Sequence, residues 1–434
     1  MKGKICSLVC AICLLVGLLI PLSSCGAVGK SGINSVKINE KGELVVYYQN
    51  GTSENLGMVV GSDGTDGSMN ITNDGNGIVY ASAKALRSAV SIVCNFQTTV
   101  QQGGWFPGYG STTTKEYTSA GSGVIYQMDK ASGDAFIITN YHVVYDSSSN
   151  SSNGISNDIN VYLYGSEIVS KAIKATYVGG SLYYDIAVLR IEDSHVLRNS
   201  DACAVDVAKS DSISVGDNAI AIGNAQGYGI SASSGIVSVD SEYIKMVAAD
   251  NKTEVSFRVM RVDTAVNPGN SGGGLFDDEG NLIGIVNAKI VDEDVENIGY
   301  AIPSNVAISI ADNIIDYCYG TNVERVQRAM IGIKVSSSDS KAVYDSTTGR
   351  ISIVETVSVS EVTRSSLSYG VLKVGDVFVN ATVGDNTTEI TRQHNIIDMM
   401  LDVRAGDVVS FDIIRDGEEM TVSLTITKDC LTAY

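Results

Sequence analysis

Short apolar runs separated by turn residues fill most of the chain from about residue 81 onward. Gly, Asn, Asp and Ser recur between the runs at short intervals, a pattern typical of β-strands in barrels and sandwiches. The runs that predict strands are 90–96, 122–127, 135–139, 160–164, 186–191, 218–222, 235–239, 258–262, 274–276 and 282–288. We therefore expect a mainly β fold.

Two stretches have the apolar spacing of helices. The first is 82–89, which Ser82 is placed to cap, and the second is 304–317, which Gly320 is placed to end. A short polar link, 321–329, follows the second helix. The spacing of these elements predicts one domain over 81–320 and a smaller one over 330–430.

The N-terminus has the features of a secretion signal over residues 1–24. A short basic head precedes an apolar stretch that is too short for an ordinary membrane span. Residues 22–25 resemble the bacterial lipobox, which predicts lipidation at Cys25, a membrane tether and a location outside the cytoplasm. An uncleaved N-terminal anchor is the alternative. Residues 25–80, rich in turn residues around one predicted strand at 43–49, are expected to form a spacer.

Composition excludes some classes of function. The net charge is −19 and no basic stripe is present, which argues against a nucleic-acid partner. The cysteines that remain after the predicted signal and Cys25 lack the spacing of a metal site, and the sequence does not establish a disulfide between any of them. These cysteines are Cys94, Cys203, Cys318 and Cys430. No metal or cofactor is expected.

The segment VNPGNSGGGLFD (266–277) places one hydroxyl, that of Ser271, among four glycines. A serine needs a base to become a nucleophile, and histidine is the natural base at neutral pH. Of three histidines, His142 follows a predicted strand, whereas His195 and His394 lie in polar stretches and are expected at the surface. Asp185, at the start of another strand, is a candidate to orient the base. The chain order His–Asp–Ser is that of the catalytic triad in proteases of the chymotrypsin class.

The segments TNYHVV, YYDIAVLRI and GNSGGGLFD resemble the three catalytic segments of the HtrA/Deg family of serine proteases. Residues 210–238 and 298–305 are similar to further shared blocks, and the resemblance covers about 81–430. It implies a double β-barrel of the chymotrypsin type, with a triad of His142, Asp185 and Ser271. It also implies an oxyanion hole formed by the N–H groups of Gly269 and Ser271.

The same resemblance implies a substrate pocket. Its base is the position six residues before the nucleophile, here Ala265, which does not support a preference for Lys or Arg. A small or medium apolar side chain, such as Val or Ala, is the expected preference. The residues implied at the wall are Ile298, Gly299, Ala301 and Ile302.

The C-terminal unit resembles one PDZ domain through residues 330–335, 372–383 and 408–426, the last predicted as a hairpin turning at Asp416 and Gly417. In such domains backbone N–H groups of a short loop hold a peptide's C-terminal carboxylate. The implied loop residues are Ile331, Gly332 and Ile333. The polar segment 358–373 leaves the preference of the groove open.

Together these features predict a membrane-tethered endopeptidase that cleaves unfolded or damaged envelope proteins and, by family resemblance, forms a homotrimer. A dedicated regulatory protease of one envelope signalling protein and a chaperone or scaffold with little proteolysis remain alternatives.

Three details depart from the family or vary within it. Tyr141 stands where relatives often have Asn, which is expected to matter little. Residues 103–116 form either a surface loop or a contact between subunits, and the acidic run 292–297 is expected to be a solvated loop.

Overall fold

The computed structural model describes residues 33–38, 43–58, 77–102, 111–166, 171–290 and 298–433. The chain divides between Met69 and Asn70 into two compact units. The predicted signal, Cys25, residues 103–110 and the acidic run lie outside the described residues. In the described part, no helix is long and apolar enough to cross a membrane.

The first unit contains a three-stranded antiparallel sheet. Its strands are β1 (Ile33–Ile38), β2 (Glu43–Tyr48) and β3 (Ser53–Met58), in that order. The strand predicted at 43–49 is confirmed as β2, whose Val45 and Val46 are buried. The flanking strands were not predicted, because their apolar residues, three of six in β1 and two of six in β3, are scattered and form no continuous run.

The second unit begins with a closed six-stranded barrel, barrel 1. Its order is β4-β5-β6-β9-β8-β7. The strands are β4 (Ala89–Gln102), β5 (Ser111–Asp129), β6 (Asp134–Thr139), β7 (Asp158–Leu163), β8 (Ile173–Ser181) and β9 (Ile186–Ile191). Inward-facing Val, Ile and Leu side chains, such as Ile92, Ile137 and Leu189, fill its interior, as closure of a small barrel requires.

A second closed barrel, barrel 2, follows with the equivalent order β10-β11-β12-β15-β14-β13. The strands are β10 (Asn218–Gly223), β11 (Ser231–Val247), β12 (Glu254–Val262), β13 (Gly274–Phe276), β14 (Leu282–Val286) and β15 (Gly299–Pro303). All ten predicted strands are found in the two barrels, so the predicted mainly β, double-barrel fold is confirmed. Strands β8 and β15 were not among the ten.

Among the described residues, five helices connect or flank the sheets. They are α1 (Gly77–Ala85), α2 (Tyr141–Val144), α3 (His195–Arg198), α4 (Ser304–Cys318) and α5 (Gln393–Asp402). Short 3₁₀ turns lie at Ser210–Ser212, Ala225–Gly227, Ala288–Ile290 and Lys428–Cys430. The helix predicted at 304–317 is confirmed as α4. The helix predicted at 82–89 is wrong in its bounds, because Ser82 lies inside α1 and Ala89 already belongs to β4.

The C-terminal part forms a further sheet with the order β17-β18-β19-β21-β22, in which β20 pairs with β19. Its strands are β17 (Ile333–Asp345), β18 (Arg350–Val362), β19 (Val377–Val383), β20 (Asn386–Glu389), β21 (Val408–Arg415) and β22 (Glu418–Thr425), and a two-stranded sheet joins β16 (Gln327–Ala329) to β23 (Leu431–Ala433). The predicted hairpin is confirmed: Asp416 and Gly417 both have positive φ, as a tight two-residue turn requires.

Helix α5 attaches the C-terminal sheet to barrel 2 through two ion pairs. The Arg258 guanidinium, on β12 and only 3% exposed, lies 2.5 Å from an Asp398 carboxylate oxygen on α5. Just before the helix, half-buried Arg392 donates to half-buried Asp240 over 2.5 Å. Pairs that are largely removed from water fix orientation, because removing one partner leaves the charge of the other less well compensated.

His394, also on α5, corrects a prediction from the sequence. It was expected at the surface with His195, which is exposed, but it is only 6% exposed. Its Nδ1 lies 3.3 Å from the Ser241 hydroxyl of barrel 2. Burial, reinforced by the positive charges of Arg258 and Arg392, lowers the pKa of His394 to about 2. The imidazole is therefore neutral, and Asp211, 4.0 Å away, is not its ion-pair partner.

We predict that His394 makes stability depend on pH. The unfolded chain takes up a proton near the ordinary pKa of 6.5, whereas the folded chain takes it up near 2. Stability should fall as pH drops below 6.5, by about 1.4 kcal/mol between pH 7.5 and 5.5 from this residue. Urea unfolding of the parent and of His394→Gln at both pH values measures it. An equal fall in both proteins would show that His394 does not contribute.

Candidate active site

Asp185 and His142 form a fixed pair in barrel 1. The His142 Nδ1 atom lies 2.6 Å from Asp185 Oδ2, and the His142 backbone N–H donates to Asp185 Oδ1 over 2.9 Å. The carbonyl of Asp185 accepts from the Tyr141 N–H at 3.1 Å and from the Asn140 side chain at 2.9 Å. Asp185 is 4% exposed and has a φ of 54°, a strained conformation that these contacts maintain.

Asn287 completes the surroundings of the carboxylate, and sequence reasoning missed it. Its side-chain amide donates to Asp185 Oδ2 over 2.8 Å, and the residue is fully buried. It follows directly after β14, so a polar residue closing a fully apolar strand was the available signal. With donors on both oxygens, the carboxylate is held in one orientation, which in turn fixes the tautomer of the ring of His142.

The Ser271 turn lies between β12 and β13 and packs against barrel 1. The Ser122 N–H of β5 donates to the Ser271 carbonyl over 2.8 Å. A Cβ at Gly272, whose φ is +82°, would lie 2.3 Å from both Ser122 O and Thr139 Oγ1 and 2.9 Å from the Asn140 N atom. The glycine therefore allows the serine backbone to approach the start of α2, which carries His142.

Two backbone N–H groups in this turn are unused. Among the described residues, those of Gly269 and Ser271 donate to no acceptor. The Pro268 carbonyl accepts from the Gln226 N–H over 2.7 Å. Because a trans peptide points its N–H opposite to its carbonyl, this bond turns the Gly269 N–H away from Gln226. The pair is available to stabilise negative charge on a bound group.

Ser122 and Asn224 hold the turn from outside, and both were missed from the sequence. The Ser122 hydroxyl donates to the Gly269 carbonyl over 2.7 Å and accepts from the Asn224 N–H over 2.8 Å. The Asn224 side chain donates to the Ser91 hydroxyl over 2.6 Å. Ser91 and Ser122 belong to barrel 1 and Asn224 follows β10 of barrel 2, so this network joins the two barrels at the turn.

Ser271 itself is only 5% exposed. Within the described residues its hydroxyl makes no hydrogen bond to the His142 ring. Such bonds are often long or poorly aligned without substrate and shorten in the reacting complex. The arrangement thus brings together a hydroxyl, an oriented imidazole and two N–H donors, the groups that acyl transfer requires.

Lys289 lies beside this arrangement in the 3₁₀ turn after Asn287. Partial burial lowers the pKa of its ammonium group, while the carboxylates of Asp185 and Asp250 act in the opposite direction. Its backbone N–H donates to the Asn287 side-chain oxygen over 3.2 Å. This contact fixes the Asn287 amide so that its NH₂ group faces Asp185.

The implied pocket residues lie in different surroundings. Ala265 is exposed, and its carbonyl accepts from the Ser233 hydroxyl over 3.0 Å. Ile298 is half-buried, and Gly299 faces Val266, whose Cγ2 lies 2.6 Å from the position of an added Cβ. Ala301 and Ile302 are fully buried.

The wall position expected for Ile302 is corrected. Its side chain belongs to the hydrophobic cluster that contains Val306 and Ile310 of α4, and none of its surface is exposed. Successive side chains of a strand point to opposite faces, so Ala301 instead lies in the core of barrel 2 with Met260 and Val262. Neither residue has surface for a ligand to contact.

The loop predicted to bind a carboxylate lies before β17, an edge strand of its sheet. Ile331 is buried, and among the described residues neither its N–H nor that of Gly332 donates to an acceptor. Gly332 has a φ of +81°, and an added Cβ would lie 2.1 Å from the Cβ of Ser366. Ile333 begins β17 and is half-buried.

Comparisons with known proteins agree with this geometry. The family model of the trypsin-like peptidase domain matches residues 121–285. The serine protease Do-like HtrA of Lactococcus lactis subsp. cremoris is 30% identical over 385 residues, covering 83% of this chain and 84% of the relative. The serine protease Do-like HtrA of Bacillus subtilis is 31% identical over 329 residues, covering 74% of this chain and 67% of the relative. A solved structure, the HtrA-type protease AlgW with decapeptide, shares the fold with a TM-score of 0.50 and 24% identity, covering 82% of this chain and 98% of the other.

We predict that Gly272→Ala destabilises the second unit more than Gly216→Ala does. Both glycines have positive φ, so the backbone strain is similar, but nothing lies within 4 Å of an added Cβ at Gly216. The two variants should therefore differ in their free energy of unfolding by about 1–3 kcal/mol, the usual cost of overpacking. This difference measures the close approach of residue 272 to Ser122 and Thr139. Urea unfolding measures it. Equal destabilisation by the two changes would contradict the packing described here.

Proposed function

The chain belongs to the HtrA family of serine proteases, and we propose that His142, Asp185 and Ser271 are its catalytic triad. The protein is a serine endopeptidase that acts on polypeptides. The proposal is carried by the His142–Asp185 pair, in which the buried carboxylate lies 2.6 Å from the imidazole, beside a serine turn with two unused N–H donors.

In the proposed mechanism His142 Nε2 takes the proton of the Ser271 hydroxyl, and the oxygen forms a bond to the peptide carbonyl carbon. The resulting oxyanion accepts hydrogen bonds from Gly269 and Ser271, each worth roughly 3 kcal/mol in the transition state. His142 then protonates the leaving amine as the C–N bond breaks. Water, deprotonated by His142, releases the acyl group and restores Ser271. Asp185 and Asn287 keep the imidazole oriented throughout.

The exposed Ala265 supports the proposed preference for a small or medium apolar side chain before the cleaved bond. It supplies no carboxylate to pair with Lys or Arg. Ile298 and Gly299 remain as wall residues of the pocket.

We further propose that the C-terminal sheet and α5 form a PDZ domain that binds polypeptide C-termini. The unused N–H groups of Ile331 and Gly332 support a carboxylate site, and β17 is an edge strand to which an extended peptide can add. Binding at this domain would concentrate substrates with exposed C-termini near the protease. The boundaries proposed for the domains are 81–320 and 330–430.

We propose a location outside the cytoplasm, with a lipid anchor at Cys25 and unfolded envelope proteins as substrates. The N-terminal basic and apolar pattern supports export. The name of one relative, the periplasmic serine endoprotease DegP of Salmonella typhimurium, is consistent with this location. A homotrimer is proposed on family resemblance alone.

The triad is tested by digestion of casein with the protein from Gly26 onward. Ser271→Ala should abolish cleavage, because no other group forms the acyl-enzyme. Ser234→Ala is the matched control, since this serine is exposed on β11, and it should cleave at the rate of the parent. Cleavage by Ser271→Ala at the parental rate would contradict the serine mechanism.

The peptide site is tested with apolar C-terminal peptides that carry either a free carboxylate or an amide. Fluorescence anisotropy should show at least about tenfold tighter binding of the carboxylate form, about 1.4 kcal/mol. Gly332→Ala should weaken binding, whereas Gly349→Ala, also at positive φ but with nothing near an added Cβ, should not. Equal binding of the two peptide forms to the parent would count against a carboxylate site.

A further inference from the structure

The catalytic histidine is carried by a helix too short to hold itself in place. Helix α2 contains only four residues, and its N-cap residue Asn140 makes no side-chain capping bond. A single turn has little intrinsic stability, so contacts of its side chains decide its position. Val143 and Val144 anchor one side in the core of barrel 1. Tyr141, immediately before His142, anchors another side of the helix.

The Tyr141 ring occupies a site built for an aromatic side chain. It packs on Tyr145 with ring centroids 5.0 Å apart and meets Tyr177 edge-on at 6.5 Å. A Cβ at Gly180 would lie 2.7 Å from the Tyr141 ring, so the absence of a side chain there makes room for it. Burial raises the pKa of Tyr141 to about 12, which keeps the phenol neutral.

The link between the barrels and the C-terminal sheet closes this site. The carbonyl of Glu324 accepts from the Gly180 N–H over 3.1 Å and from the Tyr177 hydroxyl over 3.4 Å. Arg325 forms a parallel bridge with Gly180. A chain of direct contacts therefore runs from the link, through Tyr177 and Gly180, to the ring of Tyr141.

We infer that Tyr141 is a positioning residue for His142, and that the link at Glu324 and Arg325 holds it in place. This inference rests on the proposed catalytic role of His142. Tyr141 also donates its N–H to the Asp185 carbonyl, so a shift of its ring moves the backbone of both triad partners. The sequence suggested that the residue at position 141 matters little. In this inference, Tyr141 instead sets the geometry of His142.

Tyr141→Asn tests the inference with casein-derived peptides as substrates. It should lower kcat about tenfold to a hundredfold, since a misplacement of about 1 Å has effects of this size, and should leave KM within about twofold. The low-field NMR signal of the proton between His142 Nδ1 and Asp185 should broaden or shift. Tyr141→Phe should restore most of kcat, because it keeps the ring that packs on Tyr145 and loses only the hydrogen bond of the hydroxyl to Tyr177.

Tyr164→Asn is the matched control, because this tyrosine lies just beyond β7 of the same barrel and is 53% exposed. It should behave as the parent. A parental kcat and an unchanged low-field signal in Tyr141→Asn would overturn the inference. Cleavage by Ser271→Ala in the same assay would instead overturn the proposed triad, so the two failures are distinguishable.

If Tyr141→Asn does not fold, as judged by its thermal unfolding, Gly180→Ala tests the positioning role of Tyr141 instead. The added Cβ would lie 2.7 Å from the Tyr141 ring and 2.9 Å from the Tyr177 hydroxyl, and Gly180 does not have a positive φ. The Ile186 carbonyl oxygen lies farther away, at 3.0 Å, so the added methyl group should displace the Tyr141 ring first, without straining φ at position 180. A fall in kcat at constant KM supports the inference, and an unchanged kcat contradicts it.

Discussion

The hydrogen bonds around Asp185 are the constraint on which the rest of the site depends. A carboxylate buried at 4% exposure is costly unless donors surround it, and three donors meet its oxygens: the backbone and ring of His142 and the side chain of Asn287. These bonds come from two barrels, because Asn287 follows β14 whereas His142 and Asp185 belong to barrel 1. The carboxylate thus links the barrels and also orients the imidazole of His142.

The serine turn depends on the same meeting of barrels. Ser122 of barrel 1 donates to the carbonyls of Gly269 and Ser271 and accepts from the backbone N–H of Asn224. The turn has glycine where its backbone touches barrel 1, and its N–H groups remain free to face a substrate. The chemistry proposed for this site therefore depends on the interface between the barrels, because each barrel supplies only part of the groups.

The sequence predicted the barrels well because each buried strand carries a local apolar signature. It also singled out His142, Asp185 and Ser271, because they lie next to predicted strands in the chain order of a triad and in segments that resemble those of the family. Asn287 was missed because its partner, Asp185, is 102 residues away and no local pattern marks the contact. His394 was placed wrongly for a similar reason: its burial arises from the docking of α5 on barrel 2, whereas its neighbours in sequence are polar.

We propose that Ser271 is a nucleophile and that His142 activates it. Labelling with a fluorophosphonate, followed by peptide mapping, tests this most directly, because the probe bonds covalently to a hydroxyl that a neighbouring base has activated. We expect one adduct, on Ser271, that disappears in His142→Ala while the fold is retained. An adduct on another residue, or undiminished labelling of Ser271 without His142, would contradict it.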